Sequence, residues 1–243
     1  MTPESELRNA LDEVYAAFGG YPAPKTLEAP DYRKPKRLLA RLTAKPLALL
    51  TSDDIGPYTG WAMTTVGGVE DYRHFLPRIL DLAALGSNVH LCGDPELLAN
   101  RILYGGFPTW PDKERTAILA VYDAAWRQAL RTSPEEVGAE EWLLGLIELG
   151  EPIEARLAAW IESNDLQAGL QLASAVRLEA VRLEDPRNMA VDGARADYAA
   201  WLAAPTVRQR LERLILEVSN DETWQVAQAL GLPAPPQTGL WRG

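Results

Sequence analysis

The chain has 243 residues, 47% hydrophobic and 24% charged, which suffices for one large core or two small ones and excludes wholesale disorder. Lys plus Arg is 24 and Asp plus Glu is 34, a net charge of −10; a phosphate-backbone footprint has one local candidate, Arg33, Lys34, Lys36 and Arg37, so nucleic acid is disfavoured as a primary ligand. Cys92 is the single cysteine, which excludes an internal disulfide and a cysteine-rich zinc site and fits a reducing, cytoplasmic compartment.

Proline at the first helical position and glycine just past the last one recur along the sequence, so helix limits can be read directly. Thr2-Pro3 opens a predicted helix with Leu7, Leu11, Val14, Tyr15 and Phe18 on one face, closed by Gly19-Gly20. Met1 to Asn9 is polar, with Glu4 and Glu6, and lacks the basic-then-apolar pattern of a secretory signal. Tyr21 to Pro35 contains Pro22, Pro24, Pro30 and Pro35 and no helical period, and is expected to lie extended over the surface. A short helix is expected over Lys36 to Ala44. Thr51 to Asp54 supplies a cap and an acidic first turn for a helix from Asp53 to Thr64 that stops at Gly67-Gly68. Val69 to Leu85 places Val69, Tyr72, Phe75, Leu76, Ile79, Leu80 and Ala83 at helical spacing around Pro77, which predicts a kink or two short helices meeting there.

Asp94-Pro95 starts a helix that ends at Gly105-Gly106. Pro111 to Arg131 carries Ile118, Leu119, Tyr122, Trp126, Ala129 and Leu130 at three- and four-residue spacing, the mark of a long amphipathic helix. Ser133-Pro134-Glu135-Glu136 reads as a capping box. Further helices are predicted at Ala139 to Leu149, Pro152 to Glu162, Leu166 to Glu184, Gly193 to Ala203, Pro205 to Val218 and Glu222 to Leu230. The proline-rich end, Gly231 to Gly243, is expected to be extended or frayed. No run alternates long enough for a strand, and none holds about 18 consecutive apolar residues. The expected fold is therefore all-α: about ten helices in one domain over 1–243, with a soft subdivision near 86–94 and no membrane span. An irregular bundle and a solenoid-like array of helical hairpins both account for the pattern, since no residue-level repeat is visible.

The run Thr64-Thr65-Val66-Gly67-Gly68-Val69-Glu70-Asp71-Tyr72-Arg73-His74-Phe75-Leu76-Pro77-Arg78-Ile79-Leu80-Asp81-Leu82 resembles the signature of a family of uncharacterised bacterial proteins. The resemblance extends into Leu103-Tyr104 and Phe107 to Trp126, with Trp110, Glu114 and Trp126 at matching positions, and covers roughly the first half of the chain. It implies no activity. Similar sequences often carry closely spaced cysteines after the Tyr-Pro pair; Leu27 to Lys36 holds none here, so a metal-binding role attached to those cysteines does not carry over.

The densest polar cluster is Glu70, Asp71, Arg73, His74, Arg78 and Asp81, and helical spacing brings Asp71, His74 and Arg78 onto one face. A histidine beside carboxylates can serve as a general base or a ligand; the alternative is a histidine fixed by local ion pairs on a kinked helix. Candidate binding residues are Asp71, Arg73, His74 and Arg78, joined by Trp110 and Glu114. His90, Cys92 and Asp94 have ligand chemistry and could form a mixed site with His74, but H-x-C spacing is weak and a cysteine is often a small core residue, so no metal or other cofactor is expected. There is no G-x-S-x-G elbow, and the glycine pairs match no phosphate loop. The eight tryptophans are expected mostly in the core, with Trp241 beside Leu240 either docking back on the helices or anchoring a partner. The functional expectation is a helical interaction protein, of scaffold, adaptor or toxin-neutralising type, whose acidic surface suits a basic protein partner and neither nucleic acid nor membrane. The competing expectation is an enzyme or small-ligand binder with its site around Asp71, His74 and Arg78.

Overall fold

Local capping chemistry decides where the helices begin. Thr51 Oγ1 accepts the Asp54 N–H at 3.3 Å while Asp54 accepts the Thr51 N–H at 2.9 Å, and Asp94 accepts the Leu97 N–H at 2.7 Å. The structure, a computed structural model, describes residues 2–86, 94–184 and 193–232. Among these residues there are twelve α-helices and no sheet: α1 (Pro3–Phe18), α2 (Pro35–Leu42), α3 (Ser52–Trp61), α4 (Val69–Ala84), α5 (Pro95–Tyr104), α6 (Asp112–Ala129), α7 (Ala139–Glu148), α8 (Glu154–Glu162), α9 (Leu166–Glu184), α10 (Gly193–Leu202), α11 (Pro205–Leu214) and α12 (Asn220–Ala229). The fold is all-α, as the sequence pattern predicts. Tyr21 to Pro30 is extended, and short 3-10 turns occupy Asp31–Arg33, Leu47–Leu49 and Phe107–Thr109.

Four local expectations need correction. α3 ends at Trp61, short of Thr64, because the N–H groups of Thr64, Thr65 and Val66 all turn back to the Trp61 carbonyl, at 3.2, 3.0 and 3.1 Å. Ser133 starts a single turn rather than a helix: its carbonyl accepts from Glu136 and Val137 at 3.0 and 3.2 Å, and regular helix resumes only at Ala139. α11 stops at Leu214, short of Val218, where Leu216 and Glu217 switch to tighter bonds three residues back. Finally, of the two outcomes expected at Pro77 the pair of short helices is not found: α4 runs as one helix from Val69 to Ala84 with Pro77 inside it. An interior proline costs about 3 kcal/mol. Tyr72, Phe75, Leu76, Ile79 and Leu80 are each 0% exposed, and burial at about 1.5–3 kcal/mol per side chain outweighs that penalty. Pro77 is itself buried and is part of the core.

The described residues fall into two compact units: one takes the chain up to Gln128 together with Glu141–Glu151, the other takes Ala129–Glu140 and the chain from Pro152 on. In the first, α4 packs against α1, α3 and the Leu47–Leu49 turn, and α3 also packs on α2. Gly145 allows close approach to Tyr122: a Cβ there would stand 2.3 Å from Tyr122 Cε1, and the ring cannot yield because its hydroxyl donates to the Pro95 carbonyl at 2.8 Å.

In the second unit α9 is the hub. It packs against α10, α11 and α12, and α11 also meets α8 and α12; one helix touching three later ones is bundle packing, not stacking of successive hairpins. Gln171, 2% exposed, fixes the irregular segment before α7: its Nε2 donates to the carbonyls of Ala129, Thr132 and Val137, and its Oε1 accepts the Ala139 N–H. Buried backbone groups need partners, and this one amide serves four of them, its two N–H groups being shared among the three carbonyls. Of the tryptophans, Trp110, Trp126, Trp142 and Trp160 are core residues, Trp61 and Trp201 are half-buried, and Trp224 is 38% exposed. Leu240 and Trp241 lie outside the described residues.

Candidate functional site

Arg73 leaves α4 and enters a box of aromatic rings. Its guanidinium lies 4.4 Å from the Trp110 ring centroid and 5.3 Å from that of Tyr21. Trp110 is held edge-on by Phe18 and Phe107, both at 6.0 Å, and donates its indole N–H to the Gly105 carbonyl at 2.9 Å. Glycine at 105 suits this seat, since a Cβ would stand 3.0 Å from Trp110 Cζ2 and 3.3 Å from the Ile102 carbonyl, tighter than ordinary contact. The charge is answered in sequence: Arg73 Nη1 donates to the Tyr21 hydroxyl at 2.7 Å, and that hydroxyl donates to Glu114 Oε1 at 2.7 Å. Glu114 Oε2 stands 3.8 Å from Arg73 Nε, and the exposed Glu70 adds a weaker contact at 3.7 Å. The Arg73 and Glu114 side chains are 14% and 7% exposed, so the pair is largely withdrawn from water. Burial, then the hydrogen bond to Glu114, raises the Tyr21 phenol above its ordinary range and keeps it a neutral donor.

The other members of the cluster each hold a different piece of backbone. Asp71 accepts the Gly68 N–H at 2.8 Å and caps α4; a Cβ on Gly67, which has φ +66, would meet Asp71 Oδ2 at 2.7 Å. His74 Nδ1 lies 2.9 Å from the Tyr21 carbonyl, and because a carbonyl only accepts, Nδ1 is the protonated nitrogen. Arg78 donates from Nε to the Leu50 carbonyl at 2.6 Å and pairs with Asp81, which also accepts from Tyr15 at 3.0 Å. Burial, followed by the charge of Asp81, holds the Tyr15 phenol well above its ordinary range. The structure thus brings Arg73, Trp110 and Glu114 together, while Asp71, His74 and Arg78 point to separate partners along the helix. Chemically the assembly is a clasp. It pins Tyr21 and Leu50 onto α4 and answers the Arg73 charge within the chain, although Arg73 Nε and Glu114 Oε2, 3.8 Å apart, are buried without a hydrogen bond.

Sequence reasoning did not single out Tyr21, the link between Arg73 and Glu114. It also passed over a buried group in the second unit, where Arg182 Nη1 meets Glu140 at 2.9 Å and Glu179 at 3.5 Å, and Tyr198 donates to Glu140 at 3.2 Å. The Glu179–Arg182 spacing was readable; the contact with residue 140 was not. Burial first, then Glu140, pushes the Tyr198 phenol far up. His90 and Cys92 lie outside the described residues, and among those described no three His, Cys, Asp or Glu side chains gather as metal ligands would.

A different kind of feature marks the surface of the second unit. Leu178 and Val181, one turn apart on α9, are 41% and 65% exposed. Arg177, one turn before Val181, covers the ring of Trp224 on α12 at 4.8 Å. Leu178 and Val181 on one helix and Trp224 on the helix packed against it thus make up an exposed strip, joined where the Arg177 guanidinium lies over the Trp224 ring. Among the described residues no helix is long and apolar enough to cross a membrane. Comparisons with protein-family models, with curated proteins and with solved structures return no match, so the reading of this chain rests on its own geometry.

Proposed function

We propose that this chain is an interaction protein, a helical scaffold of the adaptor or neutralising kind, and that it engages another protein through the Leu178, Val181 and Trp224 strip. The observation that supports this reading is the exposure of two aliphatic side chains together with an arginine-backed tryptophan on the neighbouring helix. Tryptophan and arginine dominate the energetics of protein interfaces because each combines a large contact area with directional polar groups. The net charge of −10 favours a partner with basic groups around its apolar anchor. A reaction centre at Asp71, His74 and Arg78 gains no support from their arrangement, since each is bonded to a different segment of the chain.

Affinity capture from the host with the intact chain and with Val181→Asp tests the proposal. Val181 is exposed, so the substitution leaves folding intact. The expected result is a stoichiometric basic partner that the variant loses. Absence of such a partner, or its undiminished capture by Val181→Asp, overturns the reading.

A further inference from the structure

In the first unit, away from the Arg73 clasp's own residues, a cavity of about 310 Å³ is lined by Arg33, Lys34, Arg37, Leu38 and Arg41. Four of five lining residues are cations, in a chain with an excess of ten negative charges. We infer that this cavity binds a small phosphorylated molecule.

Three of the four charges that line it meet no counter-charge among the described residues, and the fourth meets only a distant one. Among the described residues Arg33, Lys34 and Arg37 take part in no ion pair, although Asp31 lies in the turn immediately before them. Arg41 reaches Asp54 only at 4.0 Å, and that carboxylate is already engaged by Lys45 at 2.8 Å and by the Thr51 N–H at 2.9 Å. Like charges gathered without counter-charges repel one another, and an anion between them removes the repulsion.

The frame holding them is fixed. Arg33 lies over the Trp61 ring, with Cζ 4.0 Å from its centroid and 5.1 Å from that of Tyr32, and its Nε is buried with no hydrogen-bond partner. Lys34 adopts a left-handed backbone (φ 51, ψ 54), uncommon for a residue with a side chain, while its carbonyl accepts the Arg37 and Leu38 N–H groups, both at 3.0 Å. Arg37 and Arg41 follow one turn apart on the same face of α2.

Phosphate suits this set better than a carboxylate. Arginine forks match two phosphate oxygens at once, lysine adds a point charge, and a phosphate brings up to two negative charges to a site with four positive ones. The volume lies at the low end of small-ligand sites, roughly 300–1,000 Å³, which favours a compact ligand. A long polyanion would meet the net charge of −10 beyond the patch, which disfavours nucleic acid.

Calorimetric titration of the full chain with pyrophosphate tests the inference. Saturable one-to-one binding is expected, weakened at least about tenfold by Arg37→Glu with an unchanged thermal melt. Arg208→Glu, the same charge change on the second unit, is expected to leave the affinity as it is. No binding at millimolar pyrophosphate, or equal weakening by both variants, overturns the inference. Sedimentation with phosphoinositide vesicles distinguishes the source of the phosphate: binding that pyrophosphate competes away supports a lipid headgroup on the same cations, whereas vesicle binding indifferent to pyrophosphate overturns the site.

Discussion

Two arginines in the first unit lie over tryptophan rings, Arg73 over Trp110 at 4.4 Å and Arg33 over Trp61 at 4.0 Å, and the two contacts have opposite electrostatic surroundings. Around Arg73 the chain supplies Tyr21, Glu114 and Glu70, so every formal charge is met within the fold. Around Arg33 it supplies Lys34, Arg37 and Arg41. The contact with a ring is common to both and says little about role; what distinguishes an arginine that holds a fold from one available to a ligand is whether the protein provides the counter-charge.

The largest predicted difference between the two contacts is in stability. Arg73→Ala leaves the Glu114 carboxylate, 7% exposed, without its charge partner, and should cost about 3–5 kcal/mol in urea denaturation. Arg33→Ala loses a more exposed contact and should cost less than about 1 kcal/mol. Equal losses would erase the distinction. The neighbouring glycines should differ in sign. Gly105→Ala drives a Cβ into Trp110 and should destabilise by about 1–3 kcal/mol, whereas Gly60→Ala, with nothing within 4 Å in the helix next to Trp61, should stabilise by up to about 1 kcal/mol in the same assay.

The smallest effect is one of pH. The Tyr21 phenol is raised in the folded state, so its contribution to stability is complete below the unfolded value near pH 10 and is lost as pH rises through the folded one. The stability gap between wild type and Tyr21→Phe should therefore be constant at neutral pH and narrow above about pH 10. A gap that widens there would contradict the Arg73–Tyr21–Glu114 chain of bonds.

Helix limits were legible where a cap, a proline or a glycine sets them, but not where the backbone turns back on itself, as after Trp61, at Ser133 and after Leu214. Asp94-Pro95 and Gly105 bound α5, and Thr2-Pro3 and Gly19 bound α1, because caps and prolines act within one turn. At Pro77 the sequence left a kink and two short helices open, and the helix continues because the proline's penalty is local while the packing that overcomes it comes from α1, α3 and the Leu47–Leu49 turn. The same limit applies to the clasp. Arg73, Trp110 and Glu114 stood out as polar or aromatic residues in one region, but Tyr21 reaches them across 52 and 93 positions of chain, which spacing does not encode. The basic cavity was half visible: Arg33, Lys34 and Arg37 adjoin in sequence, Lys36 does not line it, and Arg41 follows Arg37 by one helical turn.

The division between the two contacts is tested most directly by the indole N–H signals of Trp61 and Trp110 in nitrogen-correlated NMR spectra recorded during a pyrophosphate titration. Trp61 should shift saturably as Arg33 is engaged, while Trp110, whose N–H is bonded to Gly105 behind the Arg73 clasp, should stay in place. Movement of Trp110 with Trp61 unchanged would contradict the account.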